Sequence, residues 1–185
     1  MKKVFVFIVA FISLSVSLGL CGCFPSSEDP DNPPTSPAKV WEIAYYVDEF
    51  NNPTNEAYIK NSRYFVGTFS NSATTNSELN AIVLIDKNRT AIRLWEYGWS
   101  EVKGYSKTTY NITYLDSSGN RTYSTGTLNA NSDRIVLSDS KLITLIQQNP
   151  SLRVYIEENS QYGYNTTYLF TITRDNFNTI YNQYI

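Results

Sequence analysis

Residues 79–97 read LNAIVLIDKNRTAIRLWEY, and this stretch decides the fold class. From Leu79 to Asp86 the chain carries Ile82, Val83, Leu84 and Ile85 in succession, apolar on both faces, as an interior strand requires. Lys87-Asn88-Arg89 interrupts the run and Thr90 to Tyr97 resumes it, so the segment predicts a β-hairpin.

The same grammar extends in both directions. Upstream, Trp41, Ile43, Tyr45 and Val47 alternate with Glu42, Ala44 and Tyr46, which predicts a half-buried strand ended by Asp48-Glu49-Phe50-Asn51-Asn52-Pro53. Tyr64 to Phe69 predicts another, and the small polar residues Ser70 to Ser77 a loop. Downstream, Tyr105–Leu115 and Arg121–Leu128 flank Asp116-Ser117-Ser118-Gly119-Asn120, a turn whose glycine supplies positive φ. After Arg134–Leu137 the period changes: Ser138-Asp139-Ser140 offers a cap, Leu142, Ile143, Leu145 and Ile146 share a helical face, and Asn149-Pro150 stops the helix. Leu152–Glu157 and Thr166–Thr173 are strands again. A last helix begins near Asp175 and buries Phe177, Ile180 and Tyr181. These elements predict a mainly β domain over residues 40–185, an antiparallel β-sandwich or a strongly curved sheet, with two short helices in its C-terminal half.

The beginning of the chain gives an address. Lys2 and Lys3 precede an apolar and small-residue run, Val4 to Leu20, closing in Leu20-Cys21-Gly22-Cys23, the layout of a secretory signal. The closing four residues resemble the bacterial lipoprotein box. On that resemblance residues 1–22 are removed, Cys21 with them, and Cys23 carries diacylglycerol as the first mature residue. Each buried methylene contributes about 0.8 kcal/mol, so a multiply acylated cysteine stays in the membrane. Phe24, not an aspartate, follows Cys23, which favours the outer membrane over the inner. Residues 23–39 hold five of the seven prolines among Ser, Asp and Asn. With so little to bury they form an extended tether, long enough at about 3.1 Å per residue to reach roughly 50 Å.

Composition narrows the chemistry. The chain has no histidine and two cysteines, Cys21 and Cys23. Ser-His-Asp and Cys-His catalysis are excluded, as are the usual zinc sites. No glycine-rich phosphate loop occurs. No catalytic residue, metal ligand or cofactor is assigned. The 15 basic side chains, less the two lysines of the signal, stand against 17 acidic ones, a formal charge of −4. Such a chain is a poor partner for nucleic acid. A monomer is expected.

The segment Trp41-Glu42-Ile43-Ala44-Tyr45-Tyr46-Val47-Asp48-Glu49-Phe50-Asn51-Asn52-Pro53-Thr54, with Gly67-Thr68-Phe69-Ser70-Asn71-Ser72-Ala73-Thr74-Thr75-Asn76-Ser77, resembles an uncharacterised family of exported bacterial proteins, many of them lipoproteins. The likeness runs on through Leu94-Trp95-Glu96-Tyr97 and Tyr168-Leu169-Phe170-Thr171-Ile172. It implies a secreted β-rich module and brings no activity and no site residues with it.

Two kinds of candidate site follow from the residues. Carboxylates come as adjacent pairs, Asp48-Glu49 and Glu157-Glu158, which a strand would point to opposite faces. Asp48 with Glu96 would suit a glycosidase only if the fold set them about 5–10 Å apart. The 15 tyrosines and three tryptophans are more informative. Trp99, Tyr162 and Tyr164 fall in glycine-containing turns, where a ring with an apolar face and a polar tip suits a sugar or a protein partner. The expected role is a non-catalytic, membrane-anchored binding or interaction module. The alternatives are a carboxylate-based hydrolase or lyase on envelope polysaccharide and a purely structural envelope component.

Overall fold

The chain divides into two units, Met1–Ser36 and Pro37–Ile185. The computed structural model describes residues 39–87, 89–159 and 165–185, all in the second unit. The signal, Cys23, the tether as far as residue 38, Tyr162 and Tyr164 lie outside the described residues.

Among the described residues eleven strands and two helices run in the order β1 (Trp41–Val47), β2 (Pro53–Asn61), β3 (Phe65–Ser70), β4 (Ser77–Ile85), β5 (Thr90–Glu96), β6 (Ser100–Glu101), β7 (Thr108–Asp116), β8 (Arg121–Leu128), β9 (Ile135–Leu137), α1 (Lys141–Gln148), β10 (Ser151–Glu158), β11 (Thr167–Thr173) and α2 (Phe177–Tyr184). Every pairing is antiparallel. The sheet does not form a sandwich. It closes on itself as an eight-stranded barrel in the order β4-β3-β11-β10-β7-β8-β9-β5, with β5 pairing back onto β4. Alternation along a strand tells which residues face inward, but not whether they meet a second sheet or the far side of their own. Here the decision lies in the seam where β11 lies beside β3, with Leu169 opposite Thr68 and Phe170 opposite Gly67. A methyl group at position 67 would overlap the Leu169 carbonyl oxygen, so glycine permits the close approach that shuts the barrel.

The lumen is a packed core. Leu79, Ala81 and Val83 of β4 meet Ile92 and Leu94 of β5, Ile112 and Tyr114 of β7, Val154 and Ile156 of β10, and Tyr168 and Phe170 of β11. Eight strands leave an interior just wide enough for such side chains to fill. At one end, where Ser151 pairs with Thr173, the two helices cover the barrel. Leu142 and Ile146 of α1 and Phe177 and Ile180 of α2 are buried there. Trp41 of β1 enters the same end against Phe65 (ring centroids 5.5 Å apart) and Phe177 (4.8 Å), and its indole N–H donates to the Thr173 carbonyl at 2.9 Å.

The α2 cap differs from the sequence expectation. Asn176, not Asp175, holds the N-cap position, and its side chain turns away from the helix to β1. Its Oδ1 accepts from the Val40 and Trp41 N–H groups at 3.1 and 2.9 Å, and its Nδ2 donates to the Trp41 carbonyl at 2.8 Å. The first and last elements of the domain are thereby tied together. Ser140 occupies the N-cap of α1 without a side-chain bond, and Asp139 accepts the Lys141 N–H instead.

Strand β2 was not expected from the sequence. It pairs along β1 and reaches β4 only at Ile59–Ile85 and Lys60–Leu84, so β1 and β2 form a hairpin hung on the barrel. On the same edge of β4, β3 pairs as far as Ala81 and β2 takes over at Leu84. Asn61, 1% exposed, fills the break between them. Its Oδ1 accepts the Val83 N–H at 2.7 Å and its Nδ2 donates to the Ala81 carbonyl at 3.1 Å. A side chain completes the ladder where the backbone corner cannot.

Candidate functional site

The β1–β2 hairpin leans over the outer wall of the barrel and leaves a groove between them. Its floor is the outward face of the wall, with Leu84, Ala91 and Val136. One side is the tight turn between β4 and β5. There the Asp86 N–H donates to the Arg89 carbonyl (2.9 Å), and the Arg89 N–H donates back to the Asp86 side chain at Oδ1 (2.7 Å). The other side is the hairpin, where Tyr46 and Tyr58 pack 4.7 Å apart, tilted by 43°. The pairing of β1 with β2 shifts register between Tyr45 and Val47, and past that irregularity Tyr46 turns to the groove while Tyr45 and Val47 are exposed. The Tyr46 hydroxyl donates to Asp86 Oδ2 at 3.3 Å and joins the two sides. Burial raises the Tyr46 pKa, and the Asp86 carboxylate adds to the effect.

The groove has two adjoining parts of about 650 and 230 Å³, both lined by Tyr46, Asp86, Arg89 and Arg134. Tyr45, Glu56, Lys87 and Tyr184 are among the other residues lining the larger one. Arg134 stands at the end of a chain of alternating charges on the barrel wall. Lys103 Nζ pairs with Glu101 at 3.3 Å, Glu101 with Arg93, Arg93 with Asp133 at 2.9 Å, and Asp133 with Arg134 Nε at 2.8 Å. Burial alone would raise the Asp133 carboxyl, but the Arg134 hydrogen bond and the Arg93 charge hold it below its ordinary value. The same hydrogen bond raises Arg134 further above its ordinary pKa, against a smaller opposing effect of burial. Arg93 also lies 4.9 Å above the Trp95 ring. The network fixes Arg134 through one nitrogen and presents the remainder of its guanidinium to the groove.

At the barrel end away from the helices, Glu96, Glu158, Tyr110 and Tyr168 lie on the lumen face. Glu96 Oε1 accepts from the Tyr168 hydroxyl at 3.0 Å. Burial raises the Glu96 pKa, the Tyr168 bond opposes it, and the like charge of Glu158 raises it further. Next to Glu96 the chain turns through Tyr97 (φ 53°) and Gly98 (φ 76°), closed by the Trp99 N–H to the Glu96 carbonyl at 3.2 Å. Tyr97 is held in this uncommon conformation by Phe69, met edge-on at 4.9 Å, and the turn by Asn80, which donates to the Gly98 carbonyl at 3.0 Å. Trp99 is thrown outward, 78% exposed.

The carboxylate pairs are not assembled. Asp48 closes the β1–β2 turn, accepting from the Phe50 and Asn52 N–H groups at 2.9 and 2.8 Å and from Asn52 Nδ2 at 3.2 Å. The hairpin joins β4 at Ile85, whereas Glu96 lies opposite Leu79. Those six residues of β4 alone span about 20 Å, so Asp48 and Glu96 do not share a cleft. Glu158 and Glu157 point to opposite faces of β10, as expected of strand neighbours. Among the described residues no group of three or more His, Cys, Asp or Glu side chains is placed to hold a metal ion. No helix among them is long and apolar enough to cross a membrane.

No family model, curated protein or solved structure matches the chain. Of the aromatic turn residues singled out from the sequence, Trp99 is on the surface at the far barrel end, and Tyr162 and Tyr164 lie outside the described residues. The groove was missed, since its walls come from five separate segments. The one local signal was the charged turn Asp86-Lys87-Asn88-Arg89, which reads as punctuation between two strands.

Proposed function

We propose that this is a lipid-anchored envelope protein that binds a ligand without transforming it, and that the ligand seats between the β1–β2 hairpin and the barrel wall. The observation that carries this reading is the groove itself: about 650 Å³, within the range of small-molecule and cofactor sites, with tyrosine and guanidinium groups facing solvent. The filled lumen supports an external site over one inside the barrel. The engagement of Asp86 by the turn and by Tyr46 supports binding over acid–base work. The Leu20-Cys21-Gly22-Cys23 ending supports anchoring through Cys23, and the resemblance to exported lipoproteins agrees with it.

The test compares envelope extract captured on the wild-type protein with that captured on the double variant Tyr46→Ala, Arg134→Ala. Loss of the captured material at unchanged melting temperature is expected. Equal capture by a folded double variant overturns the reading. Fatty-acid labelling that persists in Cys23→Ser overturns the anchor.

A further inference from the structure

We propose, resting on the binding reading above, that the groove takes an acidic sugar residue, its carboxylate held by Arg134 and Lys87 and its ring laid against the tyrosines.

The charges around the groove are not all spoken for. Asp86 is engaged by the Arg89 N–H and the Tyr46 hydroxyl. Arg89 approaches Asp86 only at 3.7 Å. Arg134 spends Nε on Asp133, and neither of its two η-nitrogens has a hydrogen-bond partner among the described residues. Lys87 makes no ion pair among them either. Three cations, Lys87, Arg89 and Arg134, therefore line a groove whose carboxylates are Asp86 and Glu56. The groove is locally positive although the whole chain is acidic.

The shape of the free groups matches a sugar acid. A guanidinium with both η-nitrogens unused presents a planar fork that matches a carboxylate. Tyr46 and Tyr58 stand beside it and Tyr45 lines the larger part of the groove, offering flat apolar faces with polar tips, which suit the C–H face of a pyranose. A ligand carrying both groups on one ring is a uronic or related sugar acid. The two parts of the groove, about 650 and 230 Å³, accommodate a short stretch of such a chain.

The test places the full lipidated protein, in detergent, on an array of uronate- and sialate-bearing glycans beside their uncharged counterparts. Binding confined to the acidic members is expected. Arg134→Gln should weaken it about tenfold or more, as loss of a charge-assisted bond implies. Lys87→Gln should weaken it by about threefold at an unchanged melting temperature, since its ammonium makes no ion pair among the described residues. Trp99→Ala should leave binding unchanged. Binding to neutral members alone, or acidic binding indifferent to both groove variants, overturns the proposal, as does inorganic phosphate competing as well as the sugar acids. A blank array overturns it too. If Tyr46→Ala, Arg134→Ala still loses captured envelope material, the blank array sinks the sugar acid and leaves the groove standing.

Discussion

Replacing Asn61 by leucine, which has nearly the same volume, should cost far more stability than its surroundings suggest. Two groups of β4 depend on this one side chain: the Val83 N–H at 2.7 Å and the Ala81 carbonyl at 3.1 Å. Asn61 is 1% exposed, so water cannot replace it. A buried donor or acceptor left without a partner costs about 1–3 kcal/mol, and two of them about 3–5 kcal/mol once partial relaxation is allowed. The bond from Nδ2 to the Arg63 carbonyl at 2.8 Å is lost as well, though that carbonyl is nearer solvent. For a domain of this size 1 kcal/mol moves Tm by about 2–4 °C, which places the expected loss near 10 °C. Urea unfolding of Asn61→Leu beside the wild type measures it. Asn61→Asp is the internal check: it keeps the acceptor for Val83 but sets a carboxylate against two carbonyl oxygens, and it should be no more stable than the leucine variant. A loss below about 1 kcal/mol for Asn61→Leu would refute the idea that a side chain completes the β4 ladder.

Three further outcomes follow from single contacts. Trp41→Ala should destabilise by about 3–5 kcal/mol, the range for a buried large aromatic, whereas Trp41→Phe loses chiefly the bond to Thr173 and should cost less than half of that in the same urea assay. Tyr114→Phe should leave stability unchanged or raise it by about 1 kcal/mol: the Tyr114 hydroxyl is buried, and among the described residues no donor or acceptor meets it in good hydrogen-bond geometry, the Ser124 hydroxyl offering only a weak contact. Burial raises the Glu96 pKa above 4.5, so the folded state holds that proton more tightly than the unfolded chain. Stability should then fall as pH rises from 4.5 through the folded pKa. Denaturation midpoints of wild type and Glu96→Gln across that window should converge at its acid end and separate at its upper end in favour of glutamine. Parallel curves would show that Glu96 titrates normally.

Much of the fold was legible because period-2 alternation is local. Strands β1, β3 to β5 and β7 to β11 and both helices fall within a few residues of where the pattern placed them. Strand β2 was invisible for a physical reason: Pro53-Thr54-Asn55-Glu56 begins it with residues that read as loop, and it is held by a hairpin partner more than by a buried face. Closure into a barrel was equally out of reach. It depends on Gly67 admitting the Leu169 carbonyl, a contact between residues about a hundred positions apart in sequence. The same limit hid the groove. Tyr46, Asp86 and Arg134 carry no shared motif and meet only because the hairpin bends back over the wall. Trp99 was legible in the opposite sense: a tryptophan following a Tyr-Gly turn marks exposure without identifying a partner.

Ligand in the groove should be detectable directly. A photoreactive amino acid placed at Lys87, on the lip of the groove, or at Trp99, at the far barrel end, tests it in intact cells. A covalent adduct is expected on irradiation from position 87, abolished by Arg134→Ala in the same chain, and none from position 99. An adduct from position 99 with none from position 87 would contradict it.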